Sequence, residues 1–158
     1  MAEPLADGII RAIDQASELY HRLVMLVAPS GSGKTAALQE VHRRTAAPLV
    51  NINLELAYHM LELTERQRAL QLPRLLTDIV NTTSTNVVLL DNIEVLFDVT
   101  LKQDPLRILQ GISRNKTVVA AWSGSVENHY LIYATPNHPE FKRYPLHDLL
   151  VVTPEEIA

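Results

Sequence analysis

The sequence predicts an α/β domain: a mainly parallel sheet with helices on both faces and an antiparallel hairpin at its C-terminal edge. Short apolar runs at 23–28, 49–53, 87–91 and 117–122 alternate with segments whose apolar residues recur at helical spacing. A parallel sheet joined by crossover helices produces that alternation. The first run stops at Gly31 and Gly33, and helical character resumes at once, so the order is strand, glycine loop, helix. The alternation ends after the fourth run, where only 123–129 precede the apolar stretch 130–134. Seven residues are too few for a crossover helix, which predicts the hairpin.

Taken in order, Leu5, Ile9, Ala12, Ile13, Ala16 and Leu19 share one face at helical spacing and predict an amphipathic helix over 5–20. The strand 23–28 follows, then a helix over 33–44 that ends in Arg43 and Arg44, cations suited to a helix C-terminus. Pro48 introduces the strand 49–53. Leu56, Met60 and Leu63 suggest one helix, and Leu72, Leu75, Leu76, Ile79 and Val80 another. The buried strand 87–91 leads into a helical piece at 93–97. Asp104 and Pro105 stand in good N-cap and N1 positions for a helix over 105–113. The strand 117–122, the hairpin, a turn-rich stretch at 137–145 and a last strand at 149–152 complete the chain.

With 158 residues, 47% of them hydrophobic and 20% charged, the chain is expected to form one compact domain over 1–158. A formal charge of -4 argues against autonomous binding to nucleic acid or an anionic membrane. The absence of cysteine excludes disulfides, thiolate metal sites and thiol nucleophiles, and fits a reducing cytosol. The N-terminal residues carry two acids and no basic segment, unlike a secretory signal, and the apolar runs are far shorter than a membrane span. A soluble, cytoplasmic protein is therefore expected.

The sharpest motif is A28-P-S-G-S-G-K-T35, which matches G-x-x-x-x-G-K-[ST] except that Ala28 takes the first glycine's place. Gly31 and Gly33 let the backbone N–H groups of Ser30, Gly31, Ser32 and Gly33 turn around a β-phosphate. Lys34 would reach the β and γ oxygens, and Thr35 would ligate Mg²⁺ at a helix N-terminus. The competing reading is a plain glycine turn that caps a helix. Asp91, closing V87-V-L-L-D91, is the carboxylate such a site needs to hold magnesium, or else an N-cap for the segment that follows. No N-K-x-D signature occurs, since N115-K-T-V118 lacks the final acid, so ATP is favoured over GTP.

Hydrolysis needs a group that orients and deprotonates water. Asn92 follows Asp91 directly and can hydrogen-bond water without accepting its proton. Glu94 is the nearest carboxylate and could swing toward the γ-phosphate, or simply favour the helix dipole as a first-turn acid. Lys34, Asp91, Glu94 and Asn92 are the catalytic candidates, and a switch or slow ATPase is expected. Ser123 sits where a residue could sense the γ-phosphate, although a Ser-Gly turn explains it as well. Arg114 with Lys116 and Lys142 with Arg143 are the late basic pairs, of which Arg114 or Arg143 is a candidate to reach a neighbour's nucleotide. Trp122, Tyr130 and Tyr133 read as sheet packing, and the six histidines show no metal-ligand spacing.

The stretches L26-V-A-P-S-G-S-G-K-T35, V87-V-L-L-D-N-I-E-V-L-F97, W122-S-G124 and Y133-A-T-P-N-H-P-E-F-K-R-Y144 together resemble the BrxF family, the small P-loop proteins of type 3 BREX phage-defence systems. The resemblance covers nearly the whole chain, with the D-N-I-E variant and A-T-P-N-H-P-E-F as its more particular parts. It implies a P-loop NTPase core of the AAA+ or STAND kind and a bacterial, cytoplasmic, ATP-binding component. Such a protein acts beside a large ATPase, a DNA methyltransferase and other BREX components. Compared with wider AAA+ proteins, the chain lacks residues for a helical lid domain. Three function classes follow: a slow Mg²⁺-dependent ATPase that assembles with itself, partners or DNA; a nucleotide-gated interaction module with little hydrolysis; and an oligomeric DNA-binding protein.

Overall fold

The computed structural model describes residues 2–154. Five strands form a parallel sheet: β1 (Leu23–Ala28), β2 (Leu49–Asn51), β3 (Val87–Asp91), β4 (Thr117–Ser123) and β8 (Leu150–Val152), in the order β2-β3-β4-β1-β8. Every pairing among them is parallel. Side chains alternate between the faces of a strand, and β1 shows the consequence. Leu23, Met25 and Val27 join one core, while Val24 and Leu26 join the other.

Helices α1 (Ala2–Ala16) and α2 (Lys34–Thr45) cover the second face with Ile9, Ala16, Leu38 and Val41. On the first face lie α3 (Ile52–His59), α4 (Glu65–Asn81), α5 (Pro105–Ile112) and two 3-10 turns, Ile93–Phe97 and Val99–Leu101.

Several boundaries differ from the sequence reading. Helix α1 stops at Ala16, because Ser17 turns its hydroxyl back to the Asp14 carbonyl at 2.7 Å, and Leu19 is left 42% exposed. Strand β2 ends at Asn51, whose side chain accepts from the Leu54 N–H at 3.0 Å and so caps α3. The 93–97 segment is a 3-10 turn. Pro73 lies inside α4, which a proline normally breaks by leaving the carbonyl four residues back without a donor. Here that carbonyl, of Ala69, accepts from the Gln103 side chain at 2.7 Å. Lys116 is half-buried, and its ammonium caps the α4 C-terminus, donating to the Val80 and Thr83 carbonyls at 3.1 and 2.7 Å.

The hairpin expected between 117–122 and 130–134 does not form, because β4 is paired in parallel on both sides, with β1 and β3, and 130–133 pairs with 125–127 instead. β5 (Ser125–Glu127), β6 (Tyr130–Tyr133) and β7 (Lys142–Pro145) form a separate three-stranded antiparallel sheet, and the main sheet's edges are β2 and β8. Glu127 pairs with Tyr130, so Asn128 and His129 make a two-residue turn, both at positive φ (51° and 67°), the conformation of a type I′ hairpin.

The small sheet is fastened beyond the ends of β1 and β4. The indole of Trp122, fully buried, donates to the Ile132 carbonyl at 3.1 Å, and the Gly124 N–H donates to the Ala28 carbonyl at 3.1 Å. Tyr133 stacks on Phe97 with centroids 3.6 Å apart, so these aromatics are packing, as read from the sequence. A Cβ on Gly124 would overlap the Ile132 carbonyl oxygen and lie 2.9 Å from the Trp122 indole nitrogen. Gly124→Ala is therefore expected to cost about 1–3 kcal/mol by overpacking. Thermal unfolding monitored by Trp122 fluorescence checks this, and an unchanged melting temperature would show that the clamp contributes nothing.

Candidate functional site

The C-terminal ends of β1, β3 and β4 meet at one pole of the sheet, the position where open α/β sheets bind ligands. Beyond β1 the chain turns through Pro29–Gly33, exposed throughout, into the N-terminus of α2. Gly31 (φ 77°) and Gly33 (φ 96°) adopt backbone conformations that side chains disfavour, which is what their identity in the motif requires. Ser32 donates its hydroxyl to the Pro29 carbonyl across the turn. The Lys34 ammonium folds back over the loop, donating to the Ala28 and Pro29 carbonyls at 3.0 and 2.8 Å. Burial holds its pKa below the ordinary lysine value, opposed by the charges of Glu94 and Asp91.

Thr35 and Asp91, 56 residues apart in sequence, are joined by a hydrogen bond of 2.7 Å from the threonine hydroxyl to Asp91 Oδ2. Asp91 is buried, and its other oxygen accepts the Asn92 N–H at 2.9 Å. Asn92 is left-handed (φ 55°, ψ 50°), a conformation asparagine tolerates better than most residues. Its part is thus a backbone one: it is the left-handed residue that joins β3 to the 3-10 turn Ile93–Phe97. The 3-10 turn that follows brings back Glu94, half-buried, whose Oε2 accepts from the Ser123 hydroxyl at 3.0 Å. Because β4 lies between β1 and β3, Ser123 stands between the loop and Asp91. By its sequence context Ser123 is either a γ-phosphate sensor or part of a Ser-Gly turn. The structure gives it a partner, Glu94, that only the folded sheet supplies.

Of the two arginine candidates, Arg114 precedes β4 at the opposite pole, its guanidinium 4.9 Å over the Tyr20 ring. Arg143 lies on β7, 3.6 Å over the Tyr130 ring. Neither hydrogen-bonds with Lys34, Thr35, Asp91 or Glu94. Among the described residues no group of three or more His, Asp or Glu converges as a metal cage, and no helix is long and apolar enough to cross a membrane.

The arrangement suits an oxygen-rich anion. An exposed loop of backbone N–H groups, a lysine and a helix N-terminus face it from one side. A hydroxyl and a carboxylate stand paired beside it, and a second carboxylate is held nearby by a serine. A search against models of known protein families finds none that matches the chain, and a comparison with curated proteins finds no relative.

Proposed function

We propose that this protein binds ATP at the 28–35 loop and acts as a slow Mg²⁺-dependent ATPase or nucleotide switch built on a P-loop core. The observation that carries the reading is the 2.7 Å contact between Thr35 and Asp91, which brings the two halves of the motif into one site. A glycine turn serving only as a helix cap would not require a buried carboxylate from β3 beside it. Thr35 Oγ1 and Asp91 are hard oxygen donors and fit Mg²⁺, which keeps several waters and completes its shell with phosphate oxygens. Bound there, the ion would neutralise charge on the β and γ phosphates. Lys34 would leave the two loop carbonyls for phosphate oxygens. Glu94 would orient water and take its proton, with Ser123 setting its position.

The isolated subunit offers Lys34 as its only cation in hydrogen-bonding contact with this loop among the described residues. With no arginine on the γ-phosphate, transfer in one subunit is slow, and charge stabilisation comes from a second copy or a partner. The resemblance to BREX components supplies a setting, assembly beside a larger ATPase on foreign DNA. The late basic residues do not gather into one patch for DNA: Lys116 caps α4, Arg114 precedes β4 at one pole, and Lys142 and Arg143 lie on β7, fastened beyond the other.

The test is thermal stabilisation by ATP and ADP with and without magnesium, followed by phosphate release. Asp91→Ala is expected to lose the magnesium-dependent part of nucleotide binding, about tenfold or more, and to retain the metal-free part. Equal losses with and without magnesium would return Asp91 to a structural role.

A further inference from the structure

Glu94 stands on the 3-10 turn Ile93–Phe97 and Ser123 at the end of β4, and their 3.0 Å hydrogen bond lasts only while those two segments keep their places. A 3-10 turn is short and its hydrogen-bond geometry is poorer than an α-helix's, so its position depends on what packs against it. Residues three apart eclipse in such a turn, which puts Phe97 on the same side of it as Glu94. What holds Phe97 therefore holds the side of the turn that carries Glu94.

Phe97, 2% exposed, is held by two other rings. Tyr133 of β6 lies flat on it, with planes 12° apart and centroids at 3.6 Å, and the indole of Trp122 meets it edge-on at 5.0 Å. Trp122 also meets Tyr133 edge-on at 6.1 Å, which closes a triangle of three aromatic side chains. Each corner has a tie to the site or to the small sheet. Phe97 shares its turn with Glu94, Trp122 precedes Ser123 in β4, and the Trp122 indole donates to the carbonyl of Ile132, the residue before Tyr133. Tyr133 is half-buried and is the corner that the small sheet supplies. Burial first, then the charges of Glu140 and Glu94, push its phenol up to about 12, so the hydroxyl stays neutral at ordinary pH and lies in the field of Glu94.

We propose that Tyr133 is a positioning residue for Glu94: its ring, pressed on Phe97 by the small sheet, fixes the 3-10 turn so that the Glu94 carboxylate stays against Ser123. The role rests on the nucleotide reading and adds the small sheet to it, a unit that lies outside the 28–35 loop and Asp91 yet governs how well Glu94 takes a proton. Paired rings favour a narrow set of arrangements, whereas an aliphatic side chain on Phe97 would let the turn slide. A displacement of about 1 Å in a reacting group can cost a hundredfold in rate. The stack acts through shape, so the ring rather than the hydroxyl carries the effect.

Single-turnover release of labelled phosphate, alongside thermal stabilisation by ATP, tests this. Tyr133→Phe keeps the ring and is expected to stay within about twofold of the wild-type rate. Tyr133→Leu and Tyr133→Met fill the space without a ring, and the rate should fall by about tenfold to a hundredfold while nucleotide affinity stays within a few-fold of wild type. In a Glu94→Gln background no base remains to be positioned, so Tyr133→Leu should lower the rate by no more than about twofold further. A ring that served only the fold would cost the same in both backgrounds. Wild-type release by a folded ringless variant, a loss shared by Tyr133→Phe, or a loss undiminished beside Glu94→Gln would each overturn the proposal. So would failure of both ringless variants to fold, which would make the ring a structural support. A wild type that ATP stabilises but that releases no phosphate would end the positioning role and leave nucleotide binding standing. One that ATP does not stabilise at all would overturn the nucleotide reading, and this role with it.

Discussion

Lys34→Ala is expected to abolish stabilisation by ATP or ADP while leaving the free protein folded. In the free protein the ammonium contacts only the Ala28 and Pro29 carbonyls at the edge of an exposed loop. Burial works against its charge there, so losing the cation removes little that holds the fold together. With a polyphosphate in the loop the same cation faces oxyanions in a partly desolvated site, where truncating a charged partner costs about 2–5 kcal/mol. At fixed nucleotide the shift in melting temperature should therefore vanish, and a titration should show affinity weakened by about a hundredfold or more. A folded variant whose shift equals the wild type's would remove Lys34 from any nucleotide site.

Glu94→Gln is the substitution expected to affect turnover most. Glutamine keeps the shape and an oxygen to accept from Ser123, which bonds Glu94 at 3.0 Å, but it cannot take a proton from water. If Glu94 orients and deprotonates water, kcat falls by about 10²–10⁴ while nucleotide affinity stays within a few-fold of wild type. Ser123→Ala leaves the carboxylate present but unanchored, so a smaller fall in kcat with unchanged nucleotide affinity is expected. Single-turnover phosphate release with both variants separates the two roles. Wild-type turnover by Glu94→Gln would place the proton acceptor elsewhere, and the site would then be read as a switch that holds nucleotide.

Much of this was legible in the chain because it depends on local chemistry. Gly31 and Gly33 are demanded by positive φ within eight residues, and the alternation of apolar runs with helical periodicity follows from burial on both sheet faces. The N-cap Asp104 accepts from the Arg107 N–H three residues ahead, and a short-range hydrogen bond of that kind needs no tertiary context.

What the sequence could not decide hinges on contacts between distant segments. Whether the residue after Asp91 or the one three positions on faces the site depends on the left-handed turn at Asn92 and on Ser123 arriving from another strand. The 130–134 stretch looked like a hairpin partner of β4 because pairing partners are not written in periodicity. It joins a separate sheet because Trp122 and Gly124 clamp it to Ile132 and Ala28, leaving the edge beside β1 open to β8. Pro73 is tolerated only because Gln103, thirty-four residues from Ala69, supplies the missing donor. The sequence by itself thus determined the loop, its lysine and the layered α/β plan, each set by interactions within a turn or by one strand's own burial. The tertiary structure decided which acid stands beside Ser123 and where the last strands pair, because those outcomes depend on hydrogen-bond partners that folding alone brings together.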